Sequence, residues 1–401
     1  MFRHRILPAA LTVLLAACVP GSDTARFVDA TATALPAAAE LHALDGVFVD
    51  VDRDGDMDLA LAVEGDVNRL YINDGKGRFG WRQGALGAEA HDNEHVRTAD
   101  FDDDGWPDLV FVAEDDRTHQ LFLGGPGGRF TDASEQLPGR SEGNGLAVGD
   151  VDGDGLPDIV IGSSGTAKGE GQELLWLNDK ARPGQFIDAT ASHLPQIRDD
   201  TQDIALADLD GDGDLDMVVA NERPPSRLLL NDGRGRFSDA SQRLDLKVPM
   251  ETREAHIFDA NGDGRRDILL LNLTSNAGAW EKDPQARLLV NDGRRFIDET
   301  ADRLPANRFS SWGGEVVDFD HDGDPDLLVG AIGVPGFKPM QVRAWQNDGS
   351  GRFRDATATA MPAETSGRAW SMTVGDVDRD GVDDIFIGGW GTQARLLLGR
   401  K

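Results

Sequence analysis

One cysteine, Cys18, stands in 401 residues, so no disulfide can form within the chain. Its stability must come from packing and bound metal. Basic residues are also scarce: 40 Lys and Arg against 71 Asp and Glu leave a net charge of −31. Without a basic footprint to meet phosphates, nucleic acid is excluded as a partner. No long apolar run follows residue 18, so nothing there reads as a membrane span. A nucleophile arrangement and a phosphate-cradling glycine loop are missing too. The eight histidines yield no metal constellation. His91 and His95 have helical spacing, but no helix is signalled there and no third ligand is in sight.

The lone cysteine has a telling position. A basic head (Arg3, His4, Arg5) precedes an apolar stretch from Ile6 to Ala17 that is too short to span a bilayer. Residues 1–17 therefore read as a secretion signal. Leu15-Ala16-Ala17-Cys18 resembles the bacterial lipobox, in which the cysteine is lipidated and becomes the mature N-terminus. On that reading residues 18–25 are a short tether, the membrane is met only through the lipid, and the protein is a monomer anchored to the cell envelope. A valine rather than an aspartate follows Cys18, which points to the outer membrane.

What the chain has in abundance is one nine-residue pattern, Asp-x-Asp-x-Asp-Gly-x-x-Asp, in seven copies. Its first, third, fifth and ninth positions are Asp50, Asp52, Asp54 and Asp58; Asp100, Asp102, Asp104 and Asp108; and Asp150, Asp152, Asp154 and Asp158. The later copies hold Asp208, Asp210, Asp212 and Asp216; Asp259, Asn261, Asp263 and Asp267; Asp318, Asp320, Asp322 and Asp326; and Asp376, Asp378, Asp380 and Asp384. Alternating carboxylates followed by a glycine turn side-chain oxygens towards one point, which suits a hard cation, best Ca2+, one per repeat. Those four positions carry 27 of the 71 acidic residues, so much of the negative charge is local to the loops. An EF-hand is excluded, because the flanks are β-prone and position twelve is apolar, as at Leu61, Phe111, Ile161 and Val219. Asn261 keeps an oxygen but loses a charge, so the fifth site is expected to be the weakest.

Short β-prone runs flank each loop, as in Gly145-Leu146-Ala147-Val148 before and Ile159-Val160-Ile161 after. Further on, Asn231-Asp232-Gly233 and its counterparts at Asn73, Asn291 and Asn347 mark a second hairpin. Phe-x-Asp-Ala-Thr or a relative then opens one helical turn, as at Phe186 to Thr190. Four strands per repeat of 50 to 59 residues predict an all-β fold, a seven-bladed β-propeller over residues 26–401. Arg26 to Thr31 reads as a fourth strand without a blade, and Ala394 to Lys401 as a third strand without a fourth. Together they are expected to complete the seventh blade and close the ring.

These motifs resemble the FG-GAP/VCBS repeat propellers, the group that includes the propeller of integrin α-chains. The Asn-Asp-Gly-x-Gly-x-Phe-x-Asp-Ala-Thr stretches are similar to the UnbV/ASPIC and cartilage-acidic-protein branch. The resemblance implies a calcium-binding propeller with its ligands on the seven sets above. A full Phe-Gly…Gly-Ala-Pro signature is absent, with Val329-Gly330-Ala331-Ile332 a partial echo, and the C-terminal domain often attached to that branch is absent as well.

Turns in an up-and-down blade alternate between two faces. The metal loops and Asn-Asp-Gly turns share one, which leaves the opposite face for function. That face is expected to carry His95, Arg253, His256, Trp280, Trp312, Arg368, Trp370 and Trp390. Tryptophans beside arginines and carboxylates can anchor a protein loop or stack a sugar. Trp312 and Trp370, next to first strands, can equally pack between blades. The leading expectation is a non-enzymatic, calcium-stabilised envelope protein that binds a protein or polysaccharide through this face. The alternative is a polysaccharide lyase using Arg253, His256, His95 and Arg368 at the mouth.

Overall fold

The computed structural model describes residues 25–38, 40–165, 171–223, 225–247, 249–273, 285–306, 309–333, 338–362, 365–367 and 369–401. Among them, no helix is long and apolar enough to cross a membrane. The signal segment, Cys18, Trp280 and Arg368 lie outside the described residues.

Strand β1 (Phe27–Asp29) leads into a series of antiparallel meanders. The first is β2 (Ala43–Val49), β3 (Asp58–Asp66), β4 (Arg69–Asn73) and β5 (Phe79–Trp81). The next is β6 (His91–Ala99), β7 (Asp108–Ala113), β8 (Gln120–Leu123) and β9 (Thr131–Asp132). Then come β10 (Gly143–Gly149), β11 (Asp158–Ser163), β12 (Leu174–Asn178) and β13 (Phe186–Asp188). They are followed by β14 (Thr201–Ala207), β15 (Asp216–Asn221), β16 (Arg227–Asn231) and β17 (Phe237–Asp239). After these lie β18 (Glu251–Phe258), β19 (Asp267–Leu273), β20 (Arg287–Asn291) and β21 (Phe296–Asp298). The following meander pairs β22 (Gly314–Val317) and β23 (Asp326–Val329) with β26 (Arg343–Asn347) and β27 (Phe353–Asp355). The segment between β23 and β26 contains β24 (Ile332–Gly333) and β25 (Lys338–Gln341). β25 pairs onward with β28 (Ser366–Gly367). The chain ends with β29 (Ala369–Gly375), β30 (Asp384–Gly389) and β31 (Arg395–Gly399), and β31 takes β1 as its antiparallel neighbour, Phe27 opposite Gly399.

Successive meanders lie side by side through their first strands, β2 against β6, β6 against β10, and so on to β22 against β29 and β29 against β2. The result is an all-β, propeller-like stack of four-stranded sheets. Each second strand is sandwiched between neighbouring sheets, so β7 and β11 are buried at every residue. That double burial is why these strands read as unbroken apolar runs rather than as alternations. The core follows the same geometry, with one cluster joining Val160 and Leu175 of one sheet to Ile204, Met217 and Val219 of the next.

Sequence reading assigned Asn-Asp-Gly to a turn alone, but its asparagine also joins neighbouring meanders. Asn231 Nδ2 donates to Leu215 O within its own unit (3.1 Å) and to Val151 O in the preceding one (2.8 Å). Asn178 reaches Phe101 O, Asn291 reaches Leu209 O, and Asn347 reaches Ala260 O in the same manner. Asn73 spans most of the chain to Val377 O (2.7 Å). Asn231→Ala would leave one buried and one half-buried carbonyl without these donors, an expected loss of about 2–3 kcal/mol in urea unfolding. An exposed turn substitution such as Arg234→Ala should cost under about 0.5 kcal/mol. Equal costs for the two would refute the clip.

Candidate functional site

Every Asp loop joins a first strand to a second, and the ninth aspartate opens the second strand, as in Ala207 opposite Asp216. The fourth loop illustrates the internal wiring. Asp208 accepts N–H of Gly211 and of Gly213, and Asp212 Oδ1 accepts N–H of Asp214 (3.0 Å). Gly213 stands at φ 96°, where a β-carbon would be strained. The fourth position is left-handed as well, and in four loops it is not glycine: Arg53, Asp103, His321 and Arg379 have φ of 57–63°. The sequence pattern did not reveal this second strained position.

The ninth aspartates do more than close a ring of ligands. Asp216 is fully buried, with Oδ2 accepting Leu209 N–H (3.0 Å) and Oδ1 accepting Asn231 N–H (2.9 Å). The same two-sided latch recurs at Asp58, Asp158, Asp267 and Asp326, and with Gly124 or Gly399 as the second donor at Asp108 and Asp384. Burial, reinforced by the other loop carboxylates, pushes Asp158 up to about 7 and Asp216 up to about 6, although the backbone N–H groups pull the other way.

One carboxylate oxygen from each of the first, third and ninth positions lies within 4.8 Å of the others in the first four loops. The donors are all oxygens, which fits a hard cation and excludes a thiolate or imidazole metal. Asp52 Oδ1 and Asp320 Oδ1, both third-position atoms, are buried without a hydrogen-bond partner, as expected of an atom kept for a cation. These clusters can hold a metal ion. The fifth-position carboxylate accepts the N–H two residues on, as Asp54 Oδ1 does from Asp56 (2.9 Å).

The second site lies at the other end of the first strands. A cavity of ≈ 310 Å³ is lined by Leu44, Glu64, Glu94, Glu114, Asn144, Gln202, Glu222, Arg253, Trp312, Trp370 and Trp390. Leu44, Glu94, Asn144, Gln202, Arg253, Trp312 and Trp370 each stand six residues before the first aspartate of a loop. At six of these seven positions the strand register slips, a β-bulge that turns the extra side chain out of the ladder. Glu64, Glu114, Glu222 and Trp390 stand fourteen residues after a loop's start, at the ends of the second strands. The repeat thus delivers its first-strand position to one mouth in all seven units, with six residue types there, and its second-strand position in four, three of them glutamate.

The aromatic side of this mouth is a stack. Trp312 lies on Trp370 with ring centroids 3.5 Å apart, and Trp370 on Trp390 at 5.8 Å. The Arg253 guanidinium caps Trp312 at 4.6 Å, and His42 covers Trp390 at 4.9 Å. Trp390 Nε1 donates to Glu64 Oε2 (2.5 Å), which also meets His42 Nδ1 (2.9 Å). All three tryptophans are half-buried, so the packing reading and the ligand reading each hold in part.

Two expected residues of the ligand face belong elsewhere. His95 and His256 do not line the cavity; they sit below it in an ion network along the first strands. Asp45 Oδ2 accepts Val96 N–H (3.1 Å) and meets His95 Nδ1 (3.2 Å) and Arg97 Nη1 (2.6 Å). Burial opposes its charge, but Arg97 and His95 prevail and hold the Asp45 carboxyl well below the usual range. Glu254 Oε2 accepts Gly314 N–H (2.6 Å) and lies 3.3 Å from His256 Nε2. Burial likewise opposes a charge on His256, yet Glu254, Glu315 and Asp203 outweigh it and push the imidazole up to about 9. An imidazolium so held is no general base at neutral pH. Alternation along the strand explains the misplacement: the bulge turns position 94 or 253 towards the mouth and sends later residues into the ring. Leu44, Asn144, Gln202, Glu64, Glu114 and Glu222 were missed, although their fixed offset from the loops was readable.

The family model of the FG-GAP-like repeat matches residues 50–111, 100–161, 208–270, 259–329 and 334–387, more than half of the chain in all. Among curated proteins, cartilage acidic protein 1 of Xenopus tropicalis is 29% identical over 198 residues, 47% of this chain and 28% of that protein. The Homo sapiens protein of that name is 30% identical over 199 residues, with the same shares covered. The chain thus spans less than a third of these relatives. Among solved structures, a chain in a crystal structure of BBS1N in complex with ARL6DN, soaked with lead, matches with a TM-score of 0.55. It covers 94% of this chain and 98% of that one at 10% identity, a likeness of fold alone.

Proposed function

The chain belongs to the FG-GAP-like repeat family, and from that premise we propose a non-enzymatic, calcium-stabilised binding protein of the cell envelope. Its architecture is a seven-bladed propeller closed by the N-terminal strand. The pairing of β1 with β31, the contact of β29 with β2 and the bond from Asn73 to Val377 O support that closure. Residues 1–17 act as a signal peptide, Cys18 carries the lipid, and residues 18–25 tether a monomeric propeller to the outer membrane. Calcium at the seven loops would be held by the first, third and ninth aspartates, with the fifth completing the set. Bound there, it supplies a counter-charge that ties each first strand to its second.

The cavity at the far end of the strands carries the binding reading. Its first-strand wall position recurs in all seven units with six different residue types, which suits recognition rather than bracing. The absence of His95 and His256 from the wall, and the positive charge of His256, weigh against a lyase. The test is capture from envelope extracts, together with a glycan array, in calcium buffer. Trp370→Ala should weaken capture at least about tenfold, while Arg234→Ala on the Asp-loop face should leave it unchanged. The opposite ranking would move the site to the loop face.

A further inference from the structure

A chain with a net charge of −31 nonetheless gathers four cations around one cavity. Arg26, Arg354, Arg400 and Lys401 stand on the wall of this cavity of ≈ 500 Å³, and Asp320 is the one carboxylate there. Phe27 pairs with Gly399, so the residue before β1 meets the two that follow β31. Gly399 N–H donates to Asp384 Oδ1 (2.8 Å), which puts this end of β31 on the Asp-loop side of the ring. Asp320 accepts Gln346 Nε2, and Gln346 Oε1 in turn accepts an Arg354 N–H. Among the described residues none of the four cations forms an ion pair.

Four unpaired cations around one space repel one another until an anion enters. Guanidinium groups present planar N–H forks that match phosphate oxygens, and lysine adds a point charge. Asp320 is also the third-position aspartate of its loop, so calcium there would offset the one opposing carboxylate. The tether decides which phosphates are in reach. Seven residue steps separate Cys18 from Ala25, which lines the cavity, and seven extended residues span at most about 25 Å. A lipid on Cys18 would hold the cavity within that distance of the headgroups, at a high effective concentration. Basic residues so close to an anionic bilayer add to the hold of the lipid.

We propose that Arg26, Arg354, Arg400 and Lys401 form a docking surface for the phosphate groups of anionic lipid headgroups. The inference rests on the reading of Cys18 as the lipidated residue, and it adds an orientation to that anchor. The Asp-loop side of the propeller turns towards the bilayer at the junction of β1 and β31. The mouth, at the other end of the first strands, then faces away from the membrane, where a partner can reach it.

The experiment measures partition of the full chain onto vesicles of phosphatidylcholine alone and of phosphatidylcholine mixed with phosphatidylglycerol, in calcium buffer. Taking the ratio of the two cancels any apolar contribution from residues 1–17. Wild type should favour the anionic vesicles about a hundredfold, since each cation near such a surface contributes about fivefold. The double variant Arg400→Gln/Lys401→Gln should lower that ratio at least about tenfold. Arg129→Gln/Arg234→Gln removes the same charge from exposed turns of two other units and should lower it less than about twofold. If the first double variant fails to fold, Arg354→Gln/Arg400→Gln takes its place. Equal falls in the two kinds of variant, or no anionic preference in wild type, would overturn the surface. Glycerol phosphate is the second probe, followed by NMR at the Thr359 N–H on the cavity wall. Its saturable binding without any preference for anionic vesicles would make the cavity a small-anion site and likewise overturn the docking surface. Mass analysis of Cys18 separates the two readings. An unlipidated Cys18 with the vesicle ranking intact removes the anchor and leaves the surface. A lipidated Cys18 with equal falls keeps the anchor and removes the surface.

Discussion

Calcium-free protein is expected to melt far below the calcium-loaded form, or to be unfolded at room temperature. A site holding calcium at ten times its dissociation constant stabilises the fold by about 1.4 kcal/mol. Seven such sites together supply on the order of 10 kcal/mol, comparable with the whole stability of a typical domain. The physical origin lies in the ninth aspartates. Without a cation, Asp58, Asp108, Asp158, Asp326 and Asp384 are pushed up to about 7, and Asp216 and Asp267 to about 6, by burial and by the neighbouring loop carboxylates. These values lie above the unfolded one, so between about pH 4 and 7 the folded apo chain holds more protons than the unfolded chain. Its stability therefore falls as pH rises through that window. The loaded form, with carboxylates neutralised by metal, should not show this fall. Circular dichroism melts in metal-free and millimolar-calcium buffers at pH 5.5 and 8 would check both claims. The calcium effect should be larger at pH 8, and coincident melting curves would remove calcium from the account.

Asp216→Ala is expected to cost about 3 kcal/mol or more, in the presence and in the absence of calcium. The substitution strips the acceptor from two buried N–H groups, those of Leu209 and Asn231, and opens a gap at the root of the second strand. Asp210→Asn makes the contrast. Its third-position carboxylate faces the cation, so its cost should appear with calcium and largely vanish under chelation. Urea unfolding of both variants in each buffer separates the two roles. If the Asp216→Ala penalty disappears under chelation, the ninth aspartate is a ligand and nothing more.

Much of this was legible in the sequence. Repeat length, strand order, the Asp loop as the turn between first and second strands and the helical turn after Phe-x-Asp-Ala-Thr all follow from local chemistry, and the structure has each of them. Asp188 Oδ1, for example, accepts Thr190 N–H (2.9 Å) at the start of such a turn. The mouth was legible only in part. Arg253, Trp312, Trp370 and Trp390, which draw attention as tryptophan and arginine beside a strand, line one cavity. Leu44, Asn144 and Gln202 line it too but draw none, since nothing in their chemistry marks them. His95 and His256 drew attention for their chemistry and proved to be ring braces.

The division has a physical cause. Turn chemistry, hydrophobic period and ligand spacing act over a few residues, so the sequence by itself determined the repeat, the all-β class and the acidic loops. Which side chains meet depends on bulges and on contacts between units more than 50 residues apart, such as the bond from Asn231 to Val151 O. Only the tertiary structure decided that a one-residue slip in the first strand β6 sends Glu94 to the mouth and His95 to the ring. In a strand, a shift of one residue exchanges the two faces, and no local signal reports on which side of that shift a residue falls.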